Sequence, residues 1–359
     1  MNNKISAKLD EQIPLWMETA VVPGLSIALI RDNQLVWVKG FGVVDGRTGE
    51  AVTTNTIFEA ASLSKPVYAY AALKLCASGV LELDRPLINY LPEKQQSAAI
   101  LFDNIVNEPR LRQITTRRVL SHTPGFPNWP PKGENLRIHL APGQRFSYSG
   151  SGFTFLQHVV AQITNRDPLT FITESVLEPL AMTRSAFVWT EREATKWQVA
   201  QPHDATGVGG DKGLWPQMLA AASLHCTSTD FARFMLAILA PATANDAALD
   251  RDLLQSMLTP QIQLNDDAPW HDDWPRPQID LEPDLFWGLG WGLERGNGRS
   301  TFWHWGDNDN FKAFAIGFPN EGAGMVLMSN GRNGDKLWRK ILQQAFGGSY
   351  PALHWLDRM

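Results

Sequence analysis

A basic cluster is missing from this chain. Its 32 Lys and Arg are outnumbered by 37 Asp and Glu, for a formal charge of −5. None of the cations gather into a patch, so the electrostatic footprint that holds nucleic acid is absent. Cysteine is scarce as well. Cys76 and Cys226 are the only two; they lack metal-type spacing, and Cys76 falls in an apolar helical pattern, so both read as buried free thiols. No HExxH, paired-cysteine or Asp-rich calcium-loop pattern occurs, so nothing calls for a metal or another cofactor. No segment approaches membrane-spanning length, and Met1 to Glu11 lacks the apolar run of a secretory signal. If Met1 is the native start, the expected compartment is the cytoplasm; a periplasmic or secreted protein with its signal removed would show the same residues. There is no internal repeat, and no stretch is biased enough in composition to stay disordered. A small molecule or a short peptide remains as the expected partner.

Apolar residues make up 44% of the 359, enough for the chain to fold throughout, at a length that suits two intimately packed lobes. Leu25 to Ile30 and Leu35 to Val38 are β-rich runs around the polar turn Arg31-Asp32-Asn33-Gln34, the pattern of a hairpin. The N-terminal region is thus expected to contribute strands. From Ser62 the pattern turns helical, with Val67, Ala71, Leu75 and Cys76 recurring until Gly79. Helical segments then alternate with Gly/Pro-rich loops to about residue 260. Among them are Phe153 to Thr164, Leu169 to Val176, and Thr229 to Leu239 with Ser228 and Thr229 as candidate caps. Asn265 to Asp284, rich in Asp, Trp and Pro, reads as a long polar loop that borders a pocket. Strand-like runs return at Gly288 to Leu293, Thr301 to Trp305, Lys312 to Phe318 and Gly324 to Ser329, followed by an amphipathic segment over Lys336 to Ala345. The economical fold class is α/β (α+β), an antiparallel sheet from both chain termini flanked by helices, with an inserted all-helical lobe. Residues 1–359 would form one domain, with 1–61 plus 285–359 as its α/β lobe and 62–284 as its mainly helical lobe.

The chemistry concentrates at Ser62-Leu63-Ser64-Lys65. Ser-x-x-Lys matches by chance on the order of once in a chain this long, and by itself the tetrad is better read as a capping serine with an exposed lysine. Its position sharpens it. A strand-and-turn region gives way to a helix there, which puts Ser62 at the helix start, where backbone N–H groups and the dipole favour negative charge. Residues three apart share a helix face, so the Lys65 amine lies close to the Ser62 hydroxyl. A buried setting that keeps this amine partly neutral would let it take the hydroxyl proton. Pro66 is tolerated because the first N–H groups of a helix lack intrahelical partners.

Further segments follow in a fixed order. They are Pro23-Gly24-Leu25-Ser26-Ile27-Ala28, Gly40-Phe41-Gly42, Phe58 to Pro66, Gly79-Val80-Leu81-Glu82-Leu83-Asp84, Leu120-Ser121-His122-Thr123-Pro124-Gly125 and Pro142-Gly143-Gln144-Arg145-Phe146-Ser147-Tyr148-Ser149. With them, nearly the whole chain resembles the superfamily of class C β-lactamases, D,D-peptidases and family VIII carboxylesterases, the penicillin-recognising serine hydrolases. The resemblance implies a β-lactamase-like fold with Ser62 as nucleophile. That superfamily's Tyr-x-Asn element is matched by Tyr148-Ser149-Gly150. The resemblance implies that the Tyr148 phenol points at Ser62 and Lys65, as base or as proton relay. Gly150 lacks the amide that would steady the lysine and bond the amide side chain of β-lactams or peptides.

The third element, Lys-Thr-Gly or His-x-Gly on a strand, is matched by His304-Trp305-Gly306. It implies an oxyanion hole from the N–H groups of Ser62 and Asp307, with Gly306 letting a substrate approach the strand. His304 replaces a charged lysine with a group that titrates near about 6.5, so recognition of a substrate carboxylate is expected to weaken as pH rises. Trp287, Trp291, Trp303 and Trp305 are candidates for an apolar wall, with Trp305 nearest the pocket. His122 reads as a structural turn residue.

The resulting expectation is a serine hydrolase that works through an acyl-enzyme on a carboxylic ester or a small amide. One alternative is a D,D-carboxypeptidase or β-lactamase acting on D-alanyl peptides or β-lactams. Another is a catalytically idle binding or regulatory protein of the same fold.

Overall fold

The structure, a computed structural model, describes residues 2–92, 105, 107–240, 249–265, 281–296 and 299–358. The chain opens on a helix, not a strand. In α1 (Asn2–Ala20) Leu9, Ile13 and Met17 recur every four residues and are buried, Ile5, Trp16 and Ala20 pack half-buried beside them, and Glu11, Pro14 and Leu15 face out. Burying Leu9 and Ile13 contributes roughly 1.5 to 3 kcal/mol each. The expected hairpin follows as β1 (Gly24–Arg31) and β2 (Gln34–Gly42). Next come β3 (Phe58–Ala61) and α2 (Ser64–Ala77).

The middle of the chain is mainly helical, with α3 (Thr116–Leu120), α4 (Gly150–Thr164), α5 (Pro168–Ile172), α6 (Glu191–Lys196), α7 (Ser228–Leu239) and α8 (Arg251–Met257). One short strand, β4 (Leu224–Cys226), interrupts it and pairs antiparallel with β3. Two boundaries differ from expectation because of caps. The Ser149 hydroxyl accepts the Gly152 N–H at 3.0 Å, which starts α4 at Gly150. Thr227, not Ser228 or Thr229, caps α7 by accepting the Asp230 N–H at 3.1 Å. The expected helix over Leu169 to Val176 is split, with α5 ending at Ile172 and one wide turn over Thr173–Leu177.

The main sheet adds β5 (Ile262–Asn265), β6 (Leu281–Trp287), β7 (Gly292–Gly296), β8 (Arg299–Asn308), β9 (Phe311–Phe318) and β10 (Ala323–Ser329). Its order is β2-β1-β10-β9-β8-β7-β6-β5, and every neighbouring pair is antiparallel. The sheet therefore takes in residues from Ile262, upstream of the boundary expected at 285. Residues 281–284 are strand, not loop; 266–280, the rest of the expected polar loop, lie outside the described residues. Gly288 to Trp291 is a turn, not a strand, because Gly290 sits at φ +90° and its N–H goes to the carbonyl of Leu120. The chain closes with α9 (Trp338–Phe346) and α10 (Pro351–Leu356).

Alternation with a period of two gives the sheet two buried faces. Leu25, Ile27, Leu29, Trp303, Trp305, Phe314, Ile316, Met325 and Leu327 face α1, α9 and α10. Ala28, Ile30, Phe302, Ala313, Ala315, Val326 and Met328 face the larger core that includes α2, α4 and α7. The active-site candidates gather around β8, with Ser62 and Lys65 at the start of α2 beside the second core and Tyr148 and Trp305 part of the first. Among the described residues, no helix is long and apolar enough to cross a membrane.

Candidate active site

Strand β3 delivers Ser62. Ala61, its last residue, takes φ +49°, an uncommon conformation for alanine, and turns the chain sharply out of the strand. Ser64 fixes the turn, donating its hydroxyl to the Ala61 carbonyl at 2.5 Å and accepting the Leu224 N–H of β4 at 2.8 Å. Ser62 thus sits in the turn just before α2, and Lys65 is in the first turn of that helix. The Lys65 Nζ donates to the Ser62 Oγ at 2.9 Å and to the carbonyl of Ala221 at 2.8 Å. Lys65 is fully buried, and that burial pushes its pKa well below the ordinary lysine value.

Tyr148 stands over the lysine, with the Lys65 Nζ 4.6 Å from its ring centre. Burial pushes the Tyr148 phenol upward; the Ser62 hydroxyl opposes that shift and the Asp307 carboxylate reinforces it. The ring is held between two aromatic neighbours, His122 at 4.3 Å and Trp305 at 4.6 Å. Ser62, Lys65 and Tyr148, 86 positions apart from first to last in the sequence, therefore meet in one place.

The third segment lies on β8. β7 pairs with β8 only from Arg299 to Trp303, whereas β9 pairs with it from Phe302 to Asn308. In an antiparallel ladder successive residues turn their N–H and C=O groups to opposite sides. Because the Asp309-Asn310 turn closes the Asn308–Phe311 pair, Asp307 presents its N–H to the edge that β7 leaves uncovered. The Trp305 carbonyl shares that edge and accepts from the His304 Nδ1 at 2.6 Å. Gly306 faces the other way. A Cβ there would meet the Ala60 carbonyl oxygen at 2.2 Å, so this glycine lets β8 seat against β3, the strand that leads into Ser62.

Residues 9–346 match the Beta-lactamase family. The chain belongs to that family of serine hydrolases. It is similar to Protein flp of Staphylococcus aureus strain N315, with 25% identity over 224 residues, 58% of this chain and 42% of that protein. It is also similar to Esterase EstB of Burkholderia gladioli, with 27% identity over 228 residues, 55% of this chain and 56% of that protein. The chain spans about half the length of the curated relatives it matches. Its fold is that of D-alanine carboxypeptidase AmpC from Burkholderia cenocepacia, at a TM-score of 0.76, 18% identity and coverage of 97% and 99% of the two chains. It is likewise that of the octameric penicillin-binding protein homologue from Pyrococcus abyssi, at 0.74, 22% identity and coverage of 91% and 74%.

Several expectations change inside this site. His304 is fully buried, and its pKa is driven well below 6.5, first by burial and then by Lys65. Its ring is neutral at ordinary pH and offers a substrate carboxylate no charge to lose, so the expected weakening with rising pH does not apply. His122 is more than a turn residue. It does adopt φ +54°, but its Nδ1 accepts the Ser149 N–H at 2.9 Å and its ring backs Tyr148.

Of the four tryptophans, Trp291 and Trp303 belong to the two cores, and Trp287 touches Tyr148 and His304 edge-on from a fully buried position. Trp305 lines a cavity of about 430 Å³ together with Asp307, Lys312, Asp335 and Arg339, on the side of the sheet covered by α9 and α10; Ser62, Lys65 and Tyr148 are not among its lining residues. The space next to Gly150 is not empty, because the Trp129 indole fills it.

Sequence reasoning overlooked Ala221, whose contribution is a backbone carbonyl that no side chain signals. It also overlooked a tether behind the site. The Asn308 Nδ2 donates to the Glu59 Oε2 at 2.8 Å, and the Lys212 Nζ stands 3.0 Å from the Glu59 Oε1. A carboxylate three residues before Ser62 was the available signal.

Proposed function

We propose that this chain cleaves carboxylic esters or small amides through an acyl-enzyme on Ser62. The observation that carries the reading is a fully buried lysine amine 2.9 Å from a serine hydroxyl. Burial favours the neutral amine, so Lys65 can accept the Ser62 proton, whereas the Tyr148 phenol keeps its proton and serves as relay. The Ser62 Oγ attacks the substrate carbonyl carbon while its proton passes to Lys65. The resulting oxyanion is met by the N–H groups of Ser62 and Asp307, each worth about 2.7 to 4 kcal/mol in comparable hydrolases. Collapse expels the alcohol or amine, which takes its proton from Lys65 by way of Tyr148. Water then attacks the acyl-enzyme, gives a proton to Lys65 and releases the acid, and the proton returns to the Ser62 oxygen.

Two features favour esters over D-alanyl peptides or β-lactams. His304 is uncharged, and an indole stands where an amide-bearing side chain at position 150 would extend. Assay of wild type and Ser62→Ala on short-chain p-nitrophenyl esters, a D-alanyl peptide and a chromogenic cephalosporin tests the reading. Wild type is expected to turn over the esters fastest, and the variant to lose about 10³-fold or more in kcat. Unchanged hydrolysis by Ser62→Ala refutes the nucleophile, and preferred turnover of the cephalosporin or the peptide refutes the substrate class.

A further inference from the structure

We propose that Trp129 is the specificity-determining residue of the acyl-group subsite, an aromatic wall that selects esters with apolar, above all aromatic, acyl groups. The inference rests on the esterase reading and names its substrate class. A Cβ at Gly150 would lie 2.7 Å from the Cη2 and Cζ2 atoms of Trp129 and 3.0 Å from the Asn128 carbonyl oxygen. The indole therefore lies along the direction a side chain at 150 would take, two residues beyond Tyr148 and at the first residue of α4.

The loop that carries the indole is fixed to the same helix start. The Gly150 N–H donates to the Asn128 Oδ1 at 2.9 Å and the Ser151 N–H to the Asn128 carbonyl at 2.9 Å. The Ser149 hydroxyl donates to the Pro127 carbonyl at 3.0 Å. Pro130 and Pro131 follow directly and restrict the backbone beyond Trp129.

Accessibility separates this tryptophan from its neighbours. Trp287 and Trp305, the other tryptophans at the site, are at most 5% exposed, whereas Trp129 is 43% exposed and is the only exposed tryptophan among the described residues. The Cη2–Cζ2 edge of its ring lies against Gly150 at the start of α4, and the residue keeps exposed apolar surface. Such a surface stacks on an aromatic acyl group but has little to offer an amide, whose N–H and C=O would be desolvated without partners.

The test uses one leaving group and two acyl groups, p-nitrophenyl acetate and p-nitrophenyl phenylacetate, with wild type, Trp129→Ala and Trp129→Phe. The phenylacetate-to-acetate ratio of kcat/KM is expected to fall about tenfold in Trp129→Ala and about twofold or less in Trp129→Phe, which keeps a ring and covers the case of an alanine variant that does not fold. An unchanged ratio overturns the proposal. A second arm needs no turnover. Methyl phenylacetate is titrated calorimetrically into Ser62→Ala and into Ser62→Ala/Trp129→Ala, with about tenfold weaker binding expected in the latter. Equal affinities overturn the wall. Absence of any ester hydrolysis by wild type would instead sink the esterase reading, with the wall still measured by binding.

Discussion

Replacing Gly306 with alanine tests how the nucleophile is placed. The added Cβ would lie 2.2 Å from the Ala60 carbonyl oxygen and 3.1 Å from its carbonyl carbon. An ordinary carbon–oxygen contact is roughly 3.3 Å, so β3 and β8 must part by on the order of 1 Å. Neither side gives easily, because the obstruction is backbone in both strands and β3 is also bound to β4. Ala60 is two residues before Ser62, and Gly306 is next to the Asp307 N–H, so the shift falls directly on the distance between nucleophile and oxyanion donor. A misplacement of about 1 Å costs on the order of 10²-fold in rate, and overpacking a filled site costs about 1 to 3 kcal/mol of stability. Gly306→Ala should therefore lose about a hundredfold in kcat/KM, to the same extent for p-nitrophenyl acetate and for bulkier esters, with a lower melting temperature. Wild-type activity in a folded variant refutes the argument. A loss confined to bulky acyl groups means that the glycine serves substrate approach, as the sequence pattern first implied.

Three further outcomes follow from the buried groups around Tyr148. Since burial lowers the Lys65 pKa, the neutral base is present above that pKa and lost as pH falls through it. The rate should rise along one ionisation well below 10.5 and then level off, with no early loss from Tyr148, whose proton is held more tightly than usual. A rise centred at 10.5 refutes Lys65 as the base. The unfolded chain binds a proton there that the folded chain does not, so stability also rises with pH between the folded pKa and 10.5. Equilibrium denaturation should find that slope reduced in Lys65→Met. His122→Leu strips the buried Ser149 N–H of its acceptor and should cost about 1 to 3 kcal/mol. His122→Asn, which tolerates the left-handed backbone, should keep more of the fold yet lower kcat more than it changes KM. Identical melting and kinetics in both variants would remove His122 from any role in holding Tyr148.

Local periodicity alone determined much of this protein. The alternation in β1, β9 and β10 fixes two buried faces, and the three-residue spacing of Ser62 and Lys65 puts both groups on one side of the chain whatever surrounds them. Helix α1 is equally legible in the four-residue spacing of Leu9, Ile13 and Met17. Caps were missed by a residue because Ser228, Thr229 and Thr227 are chemically alike and only backbone direction separates them. The reactivity of the site is another matter. Ala221, 156 positions from Lys65, helps enclose the amine, Trp129 fills the space at Gly150, and Ala60 explains Gly306. Proton affinity and close contact depend on which atoms exclude water from a group. Those atoms come from distant parts of the chain, so only the tertiary structure decided that Lys65 is a buried amine with a lowered proton affinity and His304 a neutral ring.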